Sequence, residues 1–180
     1  MTSRQACVAV LPGDRTLALA QAGFLLAVVL VAPMFFSQPV TGVFVNMTLV
    51  LSAILFGLRK ESLLVAIAPS LVALVRGQLP AAFLPLMPFI MAGNIVLIAT
   101  VYLTYRKYGN FLLAAGLGAV LKFAFLLSVA VAFSLTFFSG SPLAGKVTTM
   151  FGVMQLLTAL GGSMLAYAIS RLMKGVFRAG

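Results

Sequence analysis

Residues 110–138 read NFLLAAGLGAVLKFAFLLSVAVAFSLTFF, and Lys122 is the one charged residue among them. The run exceeds the roughly 20 apolar residues that a helix needs to cross a bilayer. A lysine at the centre of such a helix costs about 2.5–3.5 kcal/mol even on a lenient insertion scale. The only two acids of the chain, Asp14 and Glu61, lie near polar segment ends, so Lys122 has no obvious carboxylate of its own. Three fates are open to it. It lies about 18 Å along the helix from Asn110, within range of snorkelling its stem toward the interface. It can meet an external anion, most simply a carboxylate. A neutral amine in a dry pocket is the third option.

Working outward, the rest of the chain is written in the same medium. Hydrophobic residues make up 63% of 180, charged residues 8%, and mean hydropathy is +1.19. A soluble domain of that composition would expose apolar patches far beyond what monomers tolerate. Apolar runs continue from Thr16 to Met173 without a soluble block between them, so residues 1–180 read as one all-α transmembrane domain. Spans are expected at about 16–36, 40–58, 62–78, 81–104, 110–138 and 147–172, the third of them short. Ser37-Gln38-Pro39, Arg59-Lys60-Glu61, Gly77-Gln78-Leu79-Pro80, Tyr105 to Asn110 and Ser139-Gly140-Ser141-Pro142 punctuate them. The first segment, Leu17 to Phe36, is nearer a full span than a signal-peptide core, and no clear small-x-small cleavage site follows it. It is read as a retained helix.

Six crossings place both termini on one side. Arg4, Arg15, Arg59, Lys60, Arg106, Lys107, Arg171, Lys174 and Arg178 fall on that side, and Arg76 and Lys146 on the other. The positive-inside bias then makes both termini cytoplasmic in a multi-pass membrane protein. Tyr102, Tyr105 and Tyr108 gather at the same edge, where amphipathic rings favour the interface. The net charge of +10 is spread in pairs over loops with no aromatic-interleaved groove, which argues for topology and anionic lipid neighbours, not for nucleic acid.

Chemistry is constrained by what is missing. One cysteine, Cys7, makes no internal disulfide or cysteine cluster, and without histidine no zinc, haem or histidine acid–base site can be assembled. No cofactor is expected. No acid lies within any expected span, which speaks against an intramembrane enzyme; a serine paired with Lys122 is the remaining catalytic possibility. No G-x-x-x-x-G-K-S or -T loop is present, so ATP hydrolysis would have to come from other chains.

Function must then lie with the few polar groups at depth. Asn46 falls in the outer half of span two, Arg76 at the outer end of span three and Asn94 near the middle of span four. Lys122 is near the middle of span five, Gln155 in the outer half of span six, and Gln21 near the inner end of span one. If the first five converge, they line a substrate pocket open to the outside. Asn46, Asn94 and Gln155 could equally bond a neighbouring helix, an interaction worth about 0.6 kcal/mol on average, and Arg76 could be an ordinary interfacial arginine. Pro33, Pro69, Pro85 and Pro88 read as packing kinks or as irregular backbone facing a wet cavity. Ala18 and Ala22 stack four apart, and Gly116, Gly118, Gly161 and Gly162 permit close helix approach.

These stretches resemble the substrate-binding S components of energy-coupling factor (ECF) vitamin transporters. The resemblance covers nearly the whole chain. It rests on size, six spans, Asn46 to Ser52 leading into Gly57 to Glu61, the proline-rich run from Leu84 to Asn94, Leu121-Lys122-Phe123, and Met154 to Gly162. It implies high-affinity capture of a micronutrient from outside and delivery through a transmembrane T component with two cytoplasmic ATPase subunits. Ala18 and Ala22 occupy the place of the face that meets the T component in that family. With no histidine for a metal cargo, Lys122 and Arg76 favour an anionic organic substrate, a carboxylate-bearing vitamin or lipoate-like acid. The alternative is a membrane scaffold resembling the cell-shape protein MreD, with no small-molecule ligand; a stand-alone channel or carrier would need a continuous polar path that the inner half hardly offers.

Overall fold

The computed structural model describes residues 15–76, 81–139, 141 and 143–178. Arg4, Cys7, Asp14, the Gly77 to Pro80 turn, Gly140 and Pro142 lie outside the described residues, as do the side chains of Lys174 and Arg178. Among the described residues every regular element is helical: α1 (Arg15–Phe35), α2 (Gln38–Phe56), α3 (Lys60–Val75), a 3-10 segment (Ala81–Leu86), α4 (Met87–Tyr108), α5 (Phe111–Phe137), α6 (Leu143–Phe151) and α7 (Val153–Arg178).

Five stretches are long and apolar enough to cross a membrane: α1, α2, Phe83–Tyr108, α5, and Leu143–Leu172 taken through α6 and α7. Helix α3 is not one of them. Its 16 residues span about 24 Å, short of the roughly 30 Å hydrocarbon core. The outside of the bundle carries Phe24, Phe35, Leu103, Leu112, Leu135, Leu157 and Met164 exposed, while Asn46, Asn94 and Lys122 are buried. That inversion of the soluble pattern is what a lipid solvent selects. The chain is a multi-pass membrane protein.

Boundaries follow local chemistry. Pro39 sits in the first turn of α2, where its missing N–H costs nothing. The expected span 81–104 begins instead as 3-10 backbone, with Pro85 inside it and Pro88 in the first turn of α4. The two prolines therefore start the helix and do not kink it, whereas Pro33 and Pro69 lie inside α1 and α3. The expected last span is two helices with Gly152 between them. Between α4 and α5 the turn is two residues long: Gly109 takes the left-handed conformation, φ 67°, and Asn110 Oδ1 accepts from Leu113 N at 3.1 Å.

The main core joins Leu25 of α1, Leu49, Val50 and Ala53 of α2, Val65 of α3, Leu97 and Val101 of α4, Ala114 of α5 and Ala166 of α7. A second cluster closes one end, where Phe83 packs edge-on to Phe138 and Phe151. Helices α4 with α5, and α2 with α7, form the most extensive pairs. Gly118 faces Leu97 and Val101 as a close-packing residue, whereas Gly116 has open space around it.

Candidate polar site inside the bundle

The buried stripe of α5 runs Ala115, Ala119, Lys122, Leu126, Ala130, the spacing of one helical face. It therefore turns Lys122 inward, where 2% of the residue is exposed. Snorkelling to the interface is thus excluded. Nζ donates to Asn46 Oδ1 at 2.7 Å and to Asn94 Oδ1 at 2.8 Å.

Both amides are held in that orientation by their other ends. Asn46 Nδ2 donates to Gly42 O at 2.8 Å and to Thr158 Oγ1 at 3.2 Å, and Thr158 Oγ1 donates to Gln155 O. Asn94 Nδ2 donates to Ala66 O at 2.9 Å. Turning either amide over would aim NH2 donors at Nζ, so the network fixes which atom is oxygen. Five helices, α2, α3, α4, α5 and α7, meet at this node. An ammonium has three donors, and the two amide oxygens are the only acceptors of Lys122 among the described residues. One N–H, and in the ammonium form the charge, are left without a counterpart among the described residues.

Glycine makes the node possible. A Cβ on Gly162 would stand 2.6 Å from Met47 N, 2.6 Å from Val43 O and 2.8 Å from Asn46 Cβ. Helix α7 thus rests directly on the α2 backbone at Asn46, bringing Thr158 within reach of the amide.

A pocket of about 140 Å³ lies beside the node, between α1, α2, α3, α4, α6 and the start of α7. Gly42, whose carbonyl Asn46 engages, is part of its wall, together with Gln38, Thr41, Ser70, Met87 and Gln155. Ser70 is 2% exposed and its Oγ has no hydrogen-bond partner among the described residues. An unpaired buried hydroxyl costs about 1–3 kcal/mol. Ser70→Ala is therefore expected to leave the ligand-free protein as stable or up to about 1 kcal/mol more so, read by thermal unfolding. A clear loss of stability would mean that the hydroxyl has a structural partner.

Of the five expected substrate residues, Asn46, Asn94 and Lys122 come together. Gln155 is half-buried in the pocket wall, one helical turn before Thr158. Arg76 does not join them: it caps the end of α3, exposed and outside the pocket lining. Ala22 is buried and Ala18 half-buried against the main core, so this face of α1 is turned into the bundle. Thr158, Ser70 and Gly42 were not singled out from sequence as site residues. The Gln155, Thr158, Gly162 spacing along one face was the available signal for Thr158.

Among the described residues no group of histidine, cysteine or acidic side chains could hold a metal ion. No protein family, curated protein or solved structure matches the chain.

Proposed function

We propose that the chain is the membrane-embedded substrate-binding component of an ECF-type importer in a prokaryotic cell membrane. On this reading the short α3 is a sixth crossing, accommodated by local thinning of the bilayer, so both termini are cytoplasmic, and the chain performs no catalysis. It captures a small organic anion from outside and passes it to a T component driven by two ATPase subunits. One observation carries the reading: a buried lysine with two N–H groups on amide oxygens and no counter-charge among the described residues, linked through Asn46 to Gly42 in the wall of a largely apolar pocket that also carries Gln38, Thr41, Ser70 and Gln155. A buried charge left unmatched is costly, and a ligand carboxylate supplies both the charge and the missing acceptor. The pocket is smaller than the roughly 300–1,000 Å³ of ordinary ligand sites. A compact acid of a few heavy atoms fits it as it stands, and a vitamin-sized one requires α1 and α6 to part. Because Ala18 and Ala22 face the core, a T component would meet the exposed Leu17, Leu19 and Phe24 side of α1, or α1 would have to turn.

The MreD-like scaffold reading draws on a different observation: both amide oxygens are already committed to Lys122, and Lys122 is not itself in the pocket wall. Native mass spectrometry of the purified protein separates the two. The transport reading expects a copurifying organic acid, retained at least about tenfold less by Lys122→Met, as the loss of a charge-assisted hydrogen bond implies. An apo mass that stays unchanged after incubation with carboxylate vitamins and lipoate would leave the scaffold.

A further inference from the structure

At the opposite end of the bundle the α4–α5 turn, the end of α2 and the last turns of α7 enclose a cleft of about 340 Å³. We propose that this cleft binds the phosphodiester headgroup of an anionic membrane lipid. The proposal rests on the membrane-spanning class of the chain and not on the transport reading.

One wall is aromatic. Phe111 meets Tyr105 edge-on at 6.4 Å and Tyr167 at 5.3 Å between ring centroids. Rings of this kind belong at the level of lipid headgroups. Arg171 lies against them, 5.3 Å over the Tyr167 ring, and its Nε donates to Tyr167 Oη at 2.9 Å. That bond holds the guanidinium plane while leaving the terminal nitrogens for a forked contact with phosphate oxygens. Asn110 spends its Oδ1 on the α5 cap, and its Nδ2 donates to nothing among the described residues. Asn110, Phe111 and Leu112 line the cleft, so the open first-turn amides of α5 add weak positive potential there.

Charge complementarity decides the class of occupant. Arg15, Arg59, Lys60, Arg106, Lys107 and Arg171 stand at this end of the bundle, against Glu61 as the one acid among the described residues. Gly57 against the Tyr102 ring, and Phe111 against Tyr167, confirm that the ends of α2, α4 and α7 and the start of α5 share this end. Beside the cleft, exposed Leu112 and Leu113 offer an apolar track on which acyl chains can lie. A free phosphate ion would use the guanidinium but not that track.

The test is native mass spectrometry of delipidated protein titrated with phosphatidylglycerol or with phosphatidylcholine. The expected result is one tightly retained phosphatidylglycerol, with Arg171→Gln lowering the singly bound fraction about tenfold. Arg171→Lys, which keeps the charge but loses the fork, should fall between. Lys60→Gln, an equal charge change at the same end but outside the cleft lining, should change retention less than about twofold. Equal losses for Arg171→Gln and Lys60→Gln would overturn the proposal, since diffuse charge would then suffice. So would equal retention of phosphatidylcholine, or displacement of the lipid by millimolar inorganic phosphate, which would make the cleft a free-anion site. All three variants change exposed side chains, and a monodisperse elution profile verifies that each is folded before titration.

Discussion

Gly162→Ala is expected to destabilise the protein by about 3 kcal/mol or more, at the upper end of what overpacking does. In a chain of this size that corresponds to a fall of about 6–12 °C in Tm. The added methyl would sit 2.6 Å from Met47 N and Val43 O, which are α2 backbone atoms and cannot rotate away. The helices must separate, and separation lengthens the 3.2 Å bond between Asn46 and Thr158 that links α2 to α7. Gly116→Ala supplies the contrast. Nothing lies within 4 Å of the methyl it would introduce, and alanine favours a helix over glycine by about 1 kcal/mol. It should be neutral or stabilising. Thermal unfolding of both variants in the same detergent is the measurement, and equal behaviour would show that α7 does not rest on α2 as described.

How much of this was readable beforehand differs from element to element. Apolar runs and their polar breaks placed α1, α2 and α5 to within two residues at each end, because length and composition alone decide what can enter a bilayer. Asn46, Asn94 and Lys122 stood out for the same reason: a polar group at depth has few explanations. Their meeting was only one of two readings, since Asn46 and Asn94 could equally have bonded a neighbouring helix. What the sequence hid was rotation. When both faces of a helix are apolar, hydropathy does not say which faces lipid, so Ala18 and Ala22 gave no sign that they look inward. Gln155 lies one turn from Thr158 in the pocket wall but does not reach Lys122, and Arg76, ten residues past Ala66, lies about 15 Å further along α3. Pro85 and Pro88 were ambiguous because a helix start and a helix kink are written with the same residue. The break at Gly152 lies within an apolar run and leaves no compositional mark.

Asn94→Leu is expected to destabilise the bundle by about 2–4 kcal/mol, more than the loss of an ordinary interhelical hydrogen bond. It removes one of the two acceptors of Lys122 and the side-chain bond from α4 to the Ala66 carbonyl of α3 as well. Lys122→Met keeps most of the side-chain volume and removes the charge, leaving the oxygens of Asn46 and Asn94 unmatched at about 1–3 kcal/mol each, partly offset by the lysine that no longer has to be desolvated. The decisive quantity is the double variant. With no ammonium to solvate, the introduced leucine packs against the introduced methionine, and Lys122→Met should recover part of what Asn94→Leu lost. A coupling of about 1–3 kcal/mol from the four stabilities is the expected outcome. Strict additivity would mean that Lys122 does not depend on Asn94, and the node would lose its meaning as a unit. The same variants speak to function through a separate readout. If the amides hold the lysine ready for an anion, Lys122→Met and the double variant both lose ligand retention, including whichever of them is the more stable. Loss of binding that tracks charge and not stability is a signature that a merely structural lysine would not produce.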